Sequence, residues 1–128
     1  MTTTAAATHV VVSHGADFFG EDRHPLRVLG SLAGYAEGIL PAAERKLLVQ
    51  LLLQAGDGAA GVTRTIAVDQ VVKLAPLLRR VARSKFVKSR AHAAAAALLA
   101  DAAERAAADG EAWQWRVELG DVEGGDLR

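Results

Sequence analysis

The sequence predicts an α+β domain, mostly helical, in which about four helices are closed by a small two- or three-stranded sheet formed by the N- and C-terminal strands. Three observations predict it. A β-branched run, "THVVVSH", occupies Thr8 to His14. A strict alternation, "WQWRVEL", occupies Trp113 to Leu119. Between them the apolar residues recur mainly at helical spacing. A lone strand cannot satisfy its own amides, so the terminal strands are expected to pair with each other or with a weak middle strand.

The elements follow in order. Residues 1–7 are small and polar and are expected to be flexible, as is the glycine-rich tail 120–128. The first strand is bounded by Gly15, and a loop rich in acids leads on to Pro25. Proline suits the start of a helix, where early amides lack partners. Leu26, Leu29, Leu32, Ala33 and Ala36 then fall on one helical stripe. Gly30, Gly34 and Gly38 repeat every fourth position of that helix. Each costs about 1 kcal/mol against alanine. Either close approach of another backbone, within the fold or between copies, offsets that cost, or the helix is simply weak and partly frayed.

Pro41 opens a second helix, with Leu47, Leu48, Leu51 and Leu52 on its buried side. "GDGAAG" (Gly56 to Gly61) reads as a flexible turn, and "VTRTIA" (Val62 to Ala67) as a short edge strand. A third helix starts near Val68 and turns Val71, Leu74, Ala75, Leu78, Val81 and Ala82 inward; Pro76 inside it is expected to kink or split it. A fourth, from about Ser89 to Ala108, has Leu98 and Leu99 as its largest anchors and an Asp101–Arg105 pair one turn apart on its exposed side. In the last strand Trp113, Trp115, Val117 and Leu119 face one way, and the two tryptophans are expected to floor the helices.

The 128 residues have the length of one domain, 1–128, able to bury a sizeable core without staples. Fifteen basic and fifteen acidic side chains leave no net charge, so bulk charge points to neither nucleic acid nor membrane. With no cysteine, disulfides and thiolate metal sites are excluded, which fits a cytoplasmic protein. The N-terminus lacks a basic secretory n-region, and no apolar run reaches membrane-spanning length.

Two surfaces are candidates for function. The first is the loop "SHGADFFGEDRHP", which gathers His14, Asp17, Phe18, Phe19, Glu21, Asp22 and His24. His14 with Asp17, or His24 with Glu21, could form a proton-transfer pair. The spacing matches neither the HExxH nor the EF-hand pattern, so no metal or catalytic residue is assigned and no cofactor is implied. A structural explanation is more economical: glycines for turns, Asp17 for an Asx turn, Asp22 or His24 preceding the helix, and two phenylalanines pinning the loop inward or forming a binding ridge.

The second surface is a basic stripe, Lys73, Arg79, Arg80, Arg83, Lys85, Lys88 and Arg90, with no acid between its ends. Residues 101–126 are mostly acidic in return. The stripe reads as a solvated helix face partly neutralised by that segment, as a phosphate-binding surface, or as a dock for an acidic protein. No helix-turn-helix spacing is present, and Phe86 is its one aromatic residue.

The loop, "AEGILP" and the terminal "WQWRVE" together resemble a group of small uncharacterised proteins of high-GC actinobacteria. The resemblance covers about Val10 to Glu118 and carries no assigned activity or functional residue. It implies that the loop is a signature of the group. The function expected is a small intracellular binding or regulatory module rather than an enzyme, with a protein partner or a second copy as ligand. Nucleic-acid binding by the 73–90 stripe and a metal-dependent enzyme using the 14–24 loop are the alternatives.

Overall fold

The computed structural model describes residues 7–13, 21–55 and 63–119, with only the backbone described at 7, 8, 13, 21 and 119. The elements are β1 (Ala7–Ser13), β2 (Glu21–Pro25), α1 (Leu26–Ile39), α2 (Ala42–Leu53), β3 (Thr63–Ile66), α3 (Val68–Arg83), α4 (Arg90–Asp109) and β4 (Trp113–Leu119). The fold is α+β and mostly helical, as the sequence predicts. The sheet is larger than expected: four strands in the order β2-β1-β4-β3, all neighbours antiparallel. The residues expected to be flexible at 1–6 and 120–128, and the glycine turn 56–61, lie outside the described residues.

The two terminal strands meet at the centre of the sheet. Val10 faces Val117 and Val12 faces Trp115 across the β1–β4 ladder. The additional strand is β2, which carries Glu21, Asp22, Arg23, His24 and Pro25. It is polar and lacks an apolar alternation, so its pairing to β1 has no periodic signal in the sequence. Short charged strands ending in proline suit a sheet edge, where they discourage pairing with a foreign chain. The other edge is β3, four residues long.

One face of the sheet carries the core. Trp113 and Trp115 are buried there, 5.1 Å apart and edge to face. On the other face Arg23 and Arg116 flank Val11 from the two neighbouring strands. Arg23 reaches over β1 to Glu118 of β4 at 2.7 Å. Val11 stays only 5 % exposed on this outer face, in keeping with cover by aliphatic arginine stems.

Helices α1 and α4 sit against β1; α2 packs on α1, and α3 packs along α4. The α3–α4 seam is thin because α4 presents Ala95, Ala96, Leu99, Ala102, Ala103 and Ala106 to the interior. Its ends are well determined. The Ser89 hydroxyl accepts from the His92 amide at 3.3 Å. Gly110, at φ 69°, ends the helix in the left-handed region, with Gly110 N–H donating to Ala107 and Glu111 N–H to Ala106.

One expected anchor is corrected: Leu98 is 42 % exposed, so Leu99 alone is the large anchor of α4. Asp101 also bonds Arg79 of α3. Helix α3 is not split at Pro76: Val71, Leu74, Ala75 and Leu77 before or beside it and Leu78 and Val81 after it are buried in one core. Their burial, roughly 1.5–3 kcal/mol for each large side chain, outweighs the roughly 3 kcal/mol a mid-helix proline costs. Among the described residues no backbone of the chain approaches the glycine face of α1. A Cβ added at Gly30, Gly34 or Gly38 would meet nothing within 4 Å.

Candidate functional site

Of the loop residues singled out in the sequence, His14, Asp17, Phe18 and Phe19 lie outside the described residues. The rest form strand β2. Glu21 pairs with Ser13, Asp22 with Val12 and His24 with Val10. The Glu21 side chain lies outside the described residues, and with it the proton-transfer pair expected from Glu21 and His24. His24 is 3 % exposed on the core-facing side, and Asp22 is half-buried on the same side. Neither caps α1: Pro25 occupies the cap position and no side chain bonds there. Among the described residues no three His, Asp or Glu side chains converge as a metal-holding group.

The basic stripe divides into three parts. Arg79 is structural. Its Nε and Nη2 donate to the two carboxylate oxygens of Glu104 at 3.0 and 2.7 Å, and Nη2 also donates to Asp101. These bonds hold the Glu104 carboxyl below the ordinary glutamate range, against the opposing effect of burial. They raise the Arg79 guanidinium further above an already high value, so it is always charged. This is the neutralisation by the acidic segment that the sequence suggests, and it removes Arg79 from any binding surface.

Lys73 and Arg80 belong to a second setting. They line a groove between α2 and α3 of about 650 Å³. Ala43, Leu47, Pro76 and Leu77 supply its apolar surface; Lys46, Lys73 and Arg80 supply three cations. Glu44 is the single acid, and its carboxylate lies 3.5 Å from Arg80. The groove exists because α2 is anchored on α1 and α3 on α4, leaving the two helices apart where they face each other. Leu47 and Gln50 also line a smaller cavity of about 260 Å³ that Arg64, Thr65 and Ile66 of β3 border. Helical spacing in the sequence reveals Lys73 and Arg80 as neighbours. It does not reveal that α2 lies opposite them, since that depends on how two helix pairs are set side by side.

The third part, Arg83, Lys85, Lys88 and Arg90, is exposed around the α3–α4 connection. There the Ser84 hydroxyl accepts from the Phe86 amide at 3.1 Å, and Val87 turns inward. That turn leaves Phe86 64 % exposed, with the Lys85 ammonium 5.9 Å from its ring centroid.

Among the described residues no helix is long and apolar enough to cross a membrane. No curated protein and no solved structure matches the chain. One family model does match, over residues 15–116, which end within β4 and take in all four helices of the described residues. The chain therefore belongs to the family described as Domain of unknown function (DUF7739).

Proposed function

We propose that this chain is a small intracellular binding module, not an enzyme, and that its α2–α3 groove receives an acidic amphipathic helix of a protein partner. What supports the reading is the combination of an apolar floor with three cations and one acid on its walls. Apolar grooves between helices take the apolar face of a partner helix, and rim charges select its sign. The groove is open to solvent along α2, whose 12 residues span about 18 Å, so a linear partner fits it better than an enclosed small molecule. The lack of cysteine suits the reducing interior of a cell.

The test is a titration with a synthetic amphipathic peptide of about four turns, leucines on one face and glutamates flanking them. Saturable binding that weakens roughly tenfold in Lys73→Glu or Arg80→Glu, and falls with added salt, is expected. Equal binding of a lysine-flanked peptide, or indifference to both charge reversals, would reject the groove as the site.

A further inference from the structure

We infer that a second surface, at the α3–α4 turn, binds single-stranded nucleic acid by taking one base at a time into a slot between Phe86 and α1. The inference is independent of the α2–α3 groove and uses none of its residues.

The slot is a cavity of about 250 Å³ lined by Gly34, Tyr35, Gly38, Ile39 and Phe86. That is below the roughly 300–1,000 Å³ of a drug-sized ligand site, and it suits a single flat ring system. Its walls are of the right kind. Phe86, an aromatic residue 64 % exposed, stands at the α3–α4 turn. Tyr35 offers a second ring, held in place by a 3.1 Å hydrogen bond between its hydroxyl and Nδ1 of His92. Between them α1 has no side chains at positions 34 and 38, and the space a Cβ would occupy there is empty. A large ring left in water and two helix-weakening glycines beside it are each unfavourable for the isolated fold. Together they leave an apolar recess.

Charge identifies the occupant. Arg83, Lys85, Lys88 and Arg90 lie within eight residues spanning the turn that carries Phe86, and all four are exposed. None forms an ion pair among the described residues, unlike Arg79 and Arg80. An apolar recess beside exposed cations matches a chain of stackable bases joined by phosphates. Stacking on aromatic side chains beside a cationic track is the general mode for unpaired strands. A paired base is already stacked within its helix, so duplex is discriminated against.

The experiment is fluorescence anisotropy of the full chain with a labelled oligothymidylate of about a dozen nucleotides, and with a duplex of the same length, at about 50 and 200 mM salt. The single strand is expected to bind more tightly than the duplex, with affinity falling steeply as salt rises. Phe86→Ala should weaken it roughly five- to a hundredfold. Gly34→Leu, which fills the slot without meeting any neighbour within 4 Å of its Cβ, should weaken it comparably while leaving the protein folded. Lys73→Glu, in the groove, should matter far less than either. No binding at the lower salt, equal binding of duplex, or loss only on removing Lys85 and Lys88 with Phe86→Ala and Gly34→Leu unaffected, would each overturn the inference.

Discussion

Arg79 of α3 holds Glu104 of α4 in a two-pronged grip, Nε on one carboxylate oxygen at 3.0 Å and Nη2 on the other at 2.7 Å. The bond fastens the exposed edge of the seam whose interior is almost entirely alanine and leucine. Because it holds Glu104 in the charged form, its contribution is fully present above the ordinary glutamate pKa of about 4.3 and is lost as pH falls through the depressed value in the folded chain. Glu104 is 47 % exposed, so solvent screens the pair. Glu104→Gln is expected to cost at most about 1 kcal/mol at pH 7. In urea titrations at pH 7 and near pH 3, the gap between parent and variant should close at the acid end. A gap of constant size would show that the carboxylate charge is not what matters.

Trp113 is fully buried and meets Trp115 edge to face, at an interplanar angle of 88°. It anchors the sheet to the helices at the point where β3 and β4 pair through Ile66. Trp113→Ala should cost about 3–5 kcal/mol by denaturant unfolding. A loss below about 1 kcal/mol would mean that the floor of the core lies elsewhere.

Two glycines should answer the same substitution with opposite signs. Gly34 lies inside α1 with nothing around its absent Cβ, so Gly34→Ala should raise stability by up to about 1 kcal/mol and the melting temperature by several degrees. Gly110 sits at φ 69°, where a side chain crowds its own carbonyl, so Gly110→Ala should lower stability by about 1–2 kcal/mol. Thermal unfolding of the two variants side by side decides both.

Helix α4 begins on the Ser89 hydroxyl. Ser89→Ala should cost about 1 kcal/mol, whereas Ser89→Asp, which keeps an acceptor at the same place, should retain most of the parent's stability. Equal losses in both would assign the effect to something other than the cap.

How much of this was legible beforehand depends on the kind of signal each element carries. The central strands announced themselves through Val10–Val12 and the Trp113–Leu119 alternation, because burying one or both faces demands apolar residues at fixed positions. The bounds of α4, from about Ser89 to Ala108, were legible because local backbone geometry selects the residue types at helix ends. Strand β2 was not legible: a polar edge strand is held by hydrogen bonds to its neighbour, and those bonds are indifferent to side chains. Leu98 was misjudged because two adjacent leucines on a helix point about 100° apart, and only the placement of α3 decides which is covered.

The order of elements, the helical and strand periods and the segregation of charge are properties of the chain itself, since each is a local preference repeated along it. What only the tertiary structure decided is which cations remain available. Arg79 was drawn to Asp101 and Glu104 by the packing of α3 on α4, Lys73 and Arg80 were set opposite α2 across an open groove, and Arg83 to Arg90 were left around an exposed Phe86 beside a bare stretch of α1. Seven like charges in one segment are equivalent in a list of residues. Electrostatics falls off with distance in space rather than along the chain, so their roles separate only after folding.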